Sequence, residues 1–364
     1  MNNPKIAIII PAYNAGKMIE RCLNSLLYQT FEDFIVIIVN DGSSDDTLSV
    51  ADSFAKKDSR FKVITQDNKG ASVARNTGYA NSVSEFVTFV DADDLLTPDA
   101  LEHLYWHINR YNNDYVIGAK KKITSKSKTR DFFPEMFEKK INSISSLDIK
   151  GLKKIRFHIA PHAKLIRRAF LEKNKILFIE HWTYEDFLYS YTLLLNATSI
   201  GVVTHNCYYY ISNDASISNT PLKKHNIISR WEIEKLLWEL CSKKDPEKLI
   251  YGDPQATTFN TRLYRHISKI GLNNDTLHKD AFYTSKKIIK ENINIIKRVT
   301  SGIKKSIYLA IHTMEFDEFY EFKQETELLA SKPTSLEKDN THLNNISVKV
   351  DKKEWLFTVS SMSI

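Results

Sequence analysis

The sequence predicts an α/β chain: a doubly wound, largely parallel sheet at the front, a mostly helical region behind it and a short β tail. Three observations predict this. Unbroken β-branched runs alternate with amphipathic stretches over the first hundred residues, polar clusters fall where those runs end, and helical patterning dominates from Leu222 to about Ser331. Parallel strands covered on both faces read as continuous apolar runs. Strand–helix alternation with short loops builds sheets whose ligands bind beyond the carboxyl ends of the strands.

The elements follow in order. "KIAIIIPAY" is the first strand, and "AGKMIERCLNSLLYQT" is a helix with Met18, Ile19, Cys22, Leu26 and Leu27 at helical spacing. "FIVIIVND" is the second strand, and "SSDDTLSVADSFAKKD" opens with Ser and Asp residues suited to capping a helix. "FKVITQD" and "EFVTFVDADD" are the third and fourth strands, with a short helix in "GASVARNTGYANS" between them. From about 100 to 220 the pattern is mixed. It holds a lysine-rich loop "AKKKITSKSKTRD", the stretch "HAKLIRRAFLEKNKILF", a helix in "YEDFLYSYTLLLNATS" that begins near Glu185, and a strand "IGVVTHNCYYYIS". Helices follow in "ISRWEIEKLLWELCSKK" and "TSKKIIKENINIIKRV". "SKPTSLEKDNTHLNN" reads as a linker. "ISVKVDKKEWLFTVSS" then alternates like two short strands, and because a lone hairpin is marginal in water, this tail reads as the start of a further β module.

Composition narrows the function classes. A hydrophobic fraction of 42% over 364 residues supplies material for a core and room for two domains. No signal peptide and no membrane-spanning run is evident. Cys22, Cys207 and Cys241 are too far apart for a zinc pattern and read as reduced thiols. The first hundred residues carry 9 Lys/Arg against 14 Asp/Glu, leaving 42 against 30 behind them. An acidic front points to a metal-using site and a basic back to an anionic partner, although a lysine-rich solvated surface accounts for the charge equally well.

Polar residues gather at Pro11–Asn14, at Asp41–Ser43 and at Asp91–Asp94. Asp91, Asp93 and Asp94 repel one another unless something positive sits among them. Hard carboxylate oxygens suit Mg²⁺ or Mn²⁺, which take one or two protein carboxylates and complete their shell with phosphate and water. There is no GxxxxGK[ST] loop and no GxGxxG after the first strand, which argues against ATP hydrolysis and dinucleotide binding. Arg75 is placed to meet a phosphate or to pair with the acidic cluster; a purely structural salt bridge is the plainer alternative.

Taken together, "IIIPAYNAGKMIERCLNSLLYQT", "VNDGSSDDT", "NKGASVARNTG" and "VTFVDADD" resemble the nucleotide-sugar half of the family 2, GT-A-fold glycosyltransferases, in order and across residues 5–105. The resemblance implies a Rossmann-like nucleotide-sugar-binding domain and a UDP-sugar donor site built from Pro11, Tyr13, Asp41, Asn68, Arg75, Asp91 and Asp93. By it, Tyr13 lies near the base and Asp41 binds the uridine. Asp91 and Asp93 read ribose, diphosphate and metal, with Asp93 as the ligand of Mn²⁺ or Mg²⁺. Asn40 departs from the two acids the family usually places there. The "ED" pair in "HWTYEDFLYS" would be ordinary helix capping in most proteins. By resemblance Asp186 is the catalytic base of an inverting transfer, and Glu185 is its neighbour on the sugar or acceptor.

The second half resembles the wall teichoic acid glycosyltransferases, which add N-acetylglucosamine to poly(ribitol phosphate), in "HAKLIRRAFLEKNKILF", the "ED" pair, "CYYYISNDASIS" and "TTFNTRLYRHISK". That resemblance implies an anionic polysaccharide acceptor met by Arg262 and Arg265, and a helical part that builds homo-oligomers such as trimers. It also implies a cytoplasmic enzyme able to work peripherally at the inner membrane face. Residues 1–220 are then expected to form the GT-A catalytic domain, donor-binding over 1–105 and acceptor-side over 106–220. Residues 221–331 form a helical acceptor and oligomerisation region, and 332–364 a linker and the start of a truncated β module. The alternatives are a family 2 enzyme building capsular or lipid-linked polysaccharide, a non-catalytic sugar-nucleotide-binding module, and a nucleic-acid-binding protein. No RNA- or DNA-binding motif supports the last.

Overall fold

The computed structural model describes residues 3–124, 130–132, 143–145, 160–212, 224–244, 267, 270, 273, 275–294, 296 and 302–331. Contacts divide the chain into two compact units, Met1–Asn219 with Leu240–Ile250 and Thr220–Glu239 with Tyr251–Ile364.

The first unit is built on one mixed sheet. β1 (Ile6–Ala12), β2 (Phe34–Asp41), β3 (Phe61–Gln66) and β4 (Phe86–Phe89) pair in parallel in the order β3-β2-β1-β4. Between them run α1 (Gly16–Leu27), α2 (Thr47–Lys57) and α3 (Ala71–Ala80). The β-branched run of β1 decides this arrangement. Ile6 through Ile10 lose all contact with solvent, and a fully buried Ile contributes about 1.5–3 kcal/mol. Even-numbered Ile6, Ile8 and Ile10 pack against α1, while Ile9 faces the opposite cluster, as a period of two demands.

Beyond Phe89 the strand gives way to a turn, so β4 is shorter than "EFVTFVDADD" predicts and the acids lie off its end. β5 (Leu95–Leu96), α4 (Ala100–Arg110) and β6 (Tyr115–Thr124) follow. The expected lysine-rich loop is therefore corrected over Ala119–Thr124, which continues β6 and carries Lys120 inward. β7 (Arg130–Phe132) pairs with β6, and β8 (Ser143–Ser145) pairs with the last strand of the unit. β9 (Lys164–Arg167), α5 (Arg168–Asn174), α6 (Glu185–Asn196) and β10 (Ser199–Ser212) complete the unit. β9 is antiparallel to both β4 and β6, and β10 runs parallel to β6.

The Ser/Asp stretch before α2 serves two helices: Asp45 Oδ1 accepts from the N–H of Thr47, the first residue of α2, at 3.0 Å. Asp45 Oδ2 accepts from the Gly16 N–H at 3.0 Å and Thr47 Oγ1 from the Ala15 N–H at 2.8 Å, so this loop satisfies the open amino end of α1. Asp46, the residue before α2, makes no side-chain cap.

The second unit contains α7 from Lys224, α8 (Thr276–Glu291), α9 (Gly302–Thr313) and α10 (Phe316–Ser331). Phe282, Tyr308, Phe316 and Phe319 are fully or almost fully buried among Ile227, Ile289 and Ile311. Arg230 and Glu234 form an ion pair inside it at 2.7 Å. No described helix is long and apolar enough to cross a membrane.

Candidate active site at the strand ends

The ends of β1, β2 and β4 bring the three polar clusters together. Asn14 sits in the left-handed region, with φ 47°; its N–H donates to Ser43 Oγ at 3.0 Å, and its Oδ1 accepts from the Ser44 N–H at 2.9 Å. Asp41 is buried and accepts three hydrogen bonds: Gln66 Nε2 and the Lys69 N–H donate to Oδ1, and the Gly70 N–H to Oδ2. It therefore organises the 66–70 loop that leads into α3. Asn68 is exposed on that loop, Tyr13 is half-exposed and Pro11 is half-buried at the end of β1.

Gly42 connects these pieces. Its φ is +71°, and a Cβ there would lie 2.8 Å from the Asn68 nitrogen. Gly42→Ala is expected to lose about 1–3 kcal/mol of stability through left-handed strain and backbone overlap. A urea midpoint equal to that of the unmodified chain would contradict this.

The acids have positive partners within the chain. Arg75, on α3, is buried and bridges two of them: Nη2 donates to Asp91 Oδ1 and Nη1 to Glu185 Oε1, each at 3.0 Å. Its guanidinium lies over the Phe178 ring at 5.1 Å, and its Nε is buried without a protein acceptor. Asn76 latches that segment to α3, donating to the Phe178 carbonyl and accepting from the Phe178 N–H. On the other side of Asp91, Oδ2 meets His162 Nδ1 at 3.1 Å, and His162 Nε2 meets Lys120 Nζ at 3.1 Å. A lysine ammonium only donates, so these partners assign the proton to Nδ1 and the acceptor lone pair to Nε2.

Burial governs the charges here. It pushes His162 down to about 4, and it pushes Lys120 and Lys164 each down to about 7. For Lys120 the nearby Asp94 and Asp91 charges oppose that shift. Burial, followed by the Asp91 charge, raises Asp94 to about 8. Asp91 goes the other way: burial opposes ionisation, but the His162 hydrogen bond and the Arg75 charge hold its carboxyl far below the usual range. Functional clefts are one setting in which neighbouring carboxylates are pushed apart in this way; structural ion-pair networks are another.

Asp94 spends both oxygens on the protein, accepting from Tyr208 Oη at 2.7 Å and from the Ile211 N–H at 2.8 Å. Asp93 is partly exposed on the same turn. The donor set fits a hard divalent cation, because one rim carboxylate flanked by an anchored Asp91 leaves room for the phosphate and water ligands that Mg²⁺ and Mn²⁺ require. Asp91, Asp94 and His162 also bring ligand atoms within 4.8 Å of one another.

Glu185 and Asp186 open α6 directly after Tyr184 (φ 71°), a non-glycine residue in left-handed conformation, and His181 (φ 72°) earlier in the same loop shares that conformation. Such strain costs about 1–3 kcal/mol per residue and collects at functional sites. Asp186 Oδ1 accepts from the Phe187 N–H at 3.0 Å, and its charge acts on buried Lys164. The structure thus joins Asp41, Arg75, Asp91, Asp93 and Glu185–Asp186 along one edge of the first unit. Arg262 and Arg265 lie outside the described residues, as does the expected β tail. Lys120, His162, Lys164 and Tyr208 were not singled out by sequence reasoning. They lie in stretches whose residue types alone carry no signal: Lys120 in "AKKKITSKSKTRD", His162 and Lys164 in "HAKLIRRAFLEKNKILF", and Tyr208 in "CYYYIS".

Comparison with known proteins fits this geometry. The glycosyl transferase family 2 model matches residues 7–174. Staphylococcus aureus poly(ribitol-phosphate) beta-N-acetylglucosaminyltransferase TarP is 32% identical over 275 residues, covering 73% of this chain and 81% of TarP. The chain belongs to glycosyl transferase family 2. Another relative of this transferase chain is the poly(ribitol-phosphate) beta-glucosyltransferase of Bacillus spizizenii, 32% identical over 57% of the chain and 32% of that protein. The chain therefore spans about a third of that relative's length. The fold is similar to that of S. aureus TarS 1–349 crystallised with UDP-GlcNAc, with a TM-score of 0.67 at 22% identity over 90% of this chain and 92% of that one. This family 2 chain has the GT-A-like fold that the sequence predicts; its sheet is mixed rather than largely parallel, because β5, β7, β8 and β9 pair antiparallel.

Proposed function

We propose that this chain transfers a sugar, N-acetylglucosamine first among the candidates, from its UDP derivative to poly(ribitol phosphate), with inversion and with Asp186 as general base. The observation that carries the reading is the Arg75 bridge. One buried guanidinium fixes Asp91, at the donor turn, against Glu185, at the start of the helix that holds the base. Relatives named for UDP-GlcNAc and poly(ribitol phosphate) support the choice of donor and acceptor.

In this reading Asp41 binds the uridine beside the 66–70 loop it holds, with Pro11, Tyr13 and Asn68 also in the donor site. Asp186 takes the acceptor hydroxyl proton as the new bond to the anomeric carbon forms, while the old bond breaks and its electron pair leaves with UDP. Asp93, beside Asp91, would hold Mg²⁺ or Mn²⁺, which neutralises charge on the departing diphosphate. Residues 1–105 serve the donor and 106–220 the acceptor side. The helical region 221–331 holds the acceptor polymer through Arg262 and Arg265 and builds a homo-oligomer. A cytoplasmic place of action, at the inner membrane face, belongs to the same proposal. The excess of Lys and Arg behind residue 100 suits a polyphosphate acceptor.

Asp93→Ala tests the donor assignment. UDP-sugar affinity should fall at least about tenfold and lose its dependence on Mn²⁺, because the remaining carboxylates are spent on protein donors. Calorimetry returning the same Mn²⁺ dependence as the unmodified chain would remove Asp93 as a ligand.

A further inference from the structure

A second cluster of ligand-type side chains lies apart from the acidic turn. Asp99, just before α4, receives two histidines on its two oxygens: His205 Nε2 stands 2.9 Å from Oδ1, and His103 Nε2 stands 3.4 Å from Oδ2. His103 comes from the first turn of α4 and His205 from β10, so two distant segments converge on one carboxylate. Ligand atoms of all three lie within 4.8 Å of one another.

The backbone holds this convergence in place. The Thr97 N–H donates to the Cys207 carbonyl at 3.2 Å and Thr97 Oγ1 to the Asn206 carbonyl at 2.8 Å, stapling the entrance of α4 to β10. The pairing of β10 with β6 slips between Val203 and Asn206, and His205 falls within that irregularity. Bulges of this kind re-aim a side chain and gather beside functional sites. All three side chains keep between 38% and 46% of their surface exposed, so an ion can reach them from solution.

We propose that Asp99, His103 and His205 form a cation site, separate from the donor turn, for a borderline transition metal such as Zn²⁺. Two imidazoles and one carboxylate are a ligand set preferred by Zn²⁺, Co²⁺, Ni²⁺ and Cu²⁺ over Mg²⁺ or Ca²⁺, which seek all-oxygen shells. The His103 and His205 rings stack at 4.0 Å and 25°, with both Nε2 atoms turned toward Asp99, and a bound ion would take the place of the protons those nitrogens share with the carboxylate. Binding tilts the exposed His103 ring out of the stack, and water completes the shell. The bound ion clamps α4 to β10, the strand on which Tyr208 holds Asp94.

The test is a Co²⁺ titration of the full chain after EDTA treatment, read by visible absorption and by melting temperature. The expected result is a saturable component that raises the melting temperature. Both His103→Ala and His205→Ala weaken it at least about tenfold, and His162→Gln, which alters the donor cluster, leaves it intact. His103→Ala alone suffices if His205→Ala disturbs β10. No saturable component at micromolar Co²⁺, equal binding by His103→Ala, or loss only in His162→Gln would each overturn the site.

Discussion

Asp186→Asn is expected to lower sugar transfer by about 10²–10⁴-fold while UDP-sugar affinity stays within a few-fold, the signature of a lost general base. The placement of the residue motivates this. It sits in the first turn of α6, after left-handed Tyr184, and beside Glu185, which Arg75 ties to the donor turn. The amide keeps the size of the side chain and its hydrogen bond with the Phe187 N–H, so a folding defect is not expected. The rate should be measured under donor saturation and affinity separately by calorimetry. A large loss of donor binding would move Asp186 to the donor site.

Arg75→Met carries the largest expected effect on stability. It leaves Asp91 and Glu185 without their shared cation, and breaking one side of a buried pair costs about 3–5 kcal/mol. The lower end applies here, because Asp91 keeps 27% of its side chain exposed and His162 still contacts it. UDP-sugar affinity should fall with stability, since Asp91 would turn toward His162 alone. Arg75→Lys should recover part of the stability but not the bridge, because one ammonium cannot replace a guanidinium that spans two carboxylates. Denaturant unfolding of both variants decides the matter; an Arg75→Met chain as stable as the original would mean that the bridge contributes nothing.

The parallel core was legible because β1 and β2 are nearly unbroken apolar runs and β1, β2 and β3 are each followed by a helix. The start of α6 at Glu185 was legible from "YEDFLYSYTLLLNATS", which reads as a helix beginning there. The positive partners of the acidic turn were only half legible. Arg75 could be named because it lies 16 residues from Asp91, on the next helix back. His162 and Lys120 could not, because they meet only through pairing of β6 with β9, across more than 40 residues. Lys120 sits among lysines that read as a solvated loop, and only the fold shows that burial lowers its pKa and that Asp94 and Asp91 stand close enough to oppose this. That Asp41 also holds Gln66, Lys69 and Gly70 was not legible, because those partners lie 25 or more residues away on the next strand and loop. Local pattern exposes the strand and the motif; it does not expose which groups are spent on one another.

The most direct test of the proposed function is UDP release by the purified chain with Mn²⁺, across UDP-GlcNAc, UDP-GalNAc, UDP-Glc and UDP-Gal, with and without poly(ribitol phosphate). The expected result is release that requires UDP-GlcNAc and the polymer together. Release at the same rate without the polymer, or no turnover of any of the four donors, would contradict it.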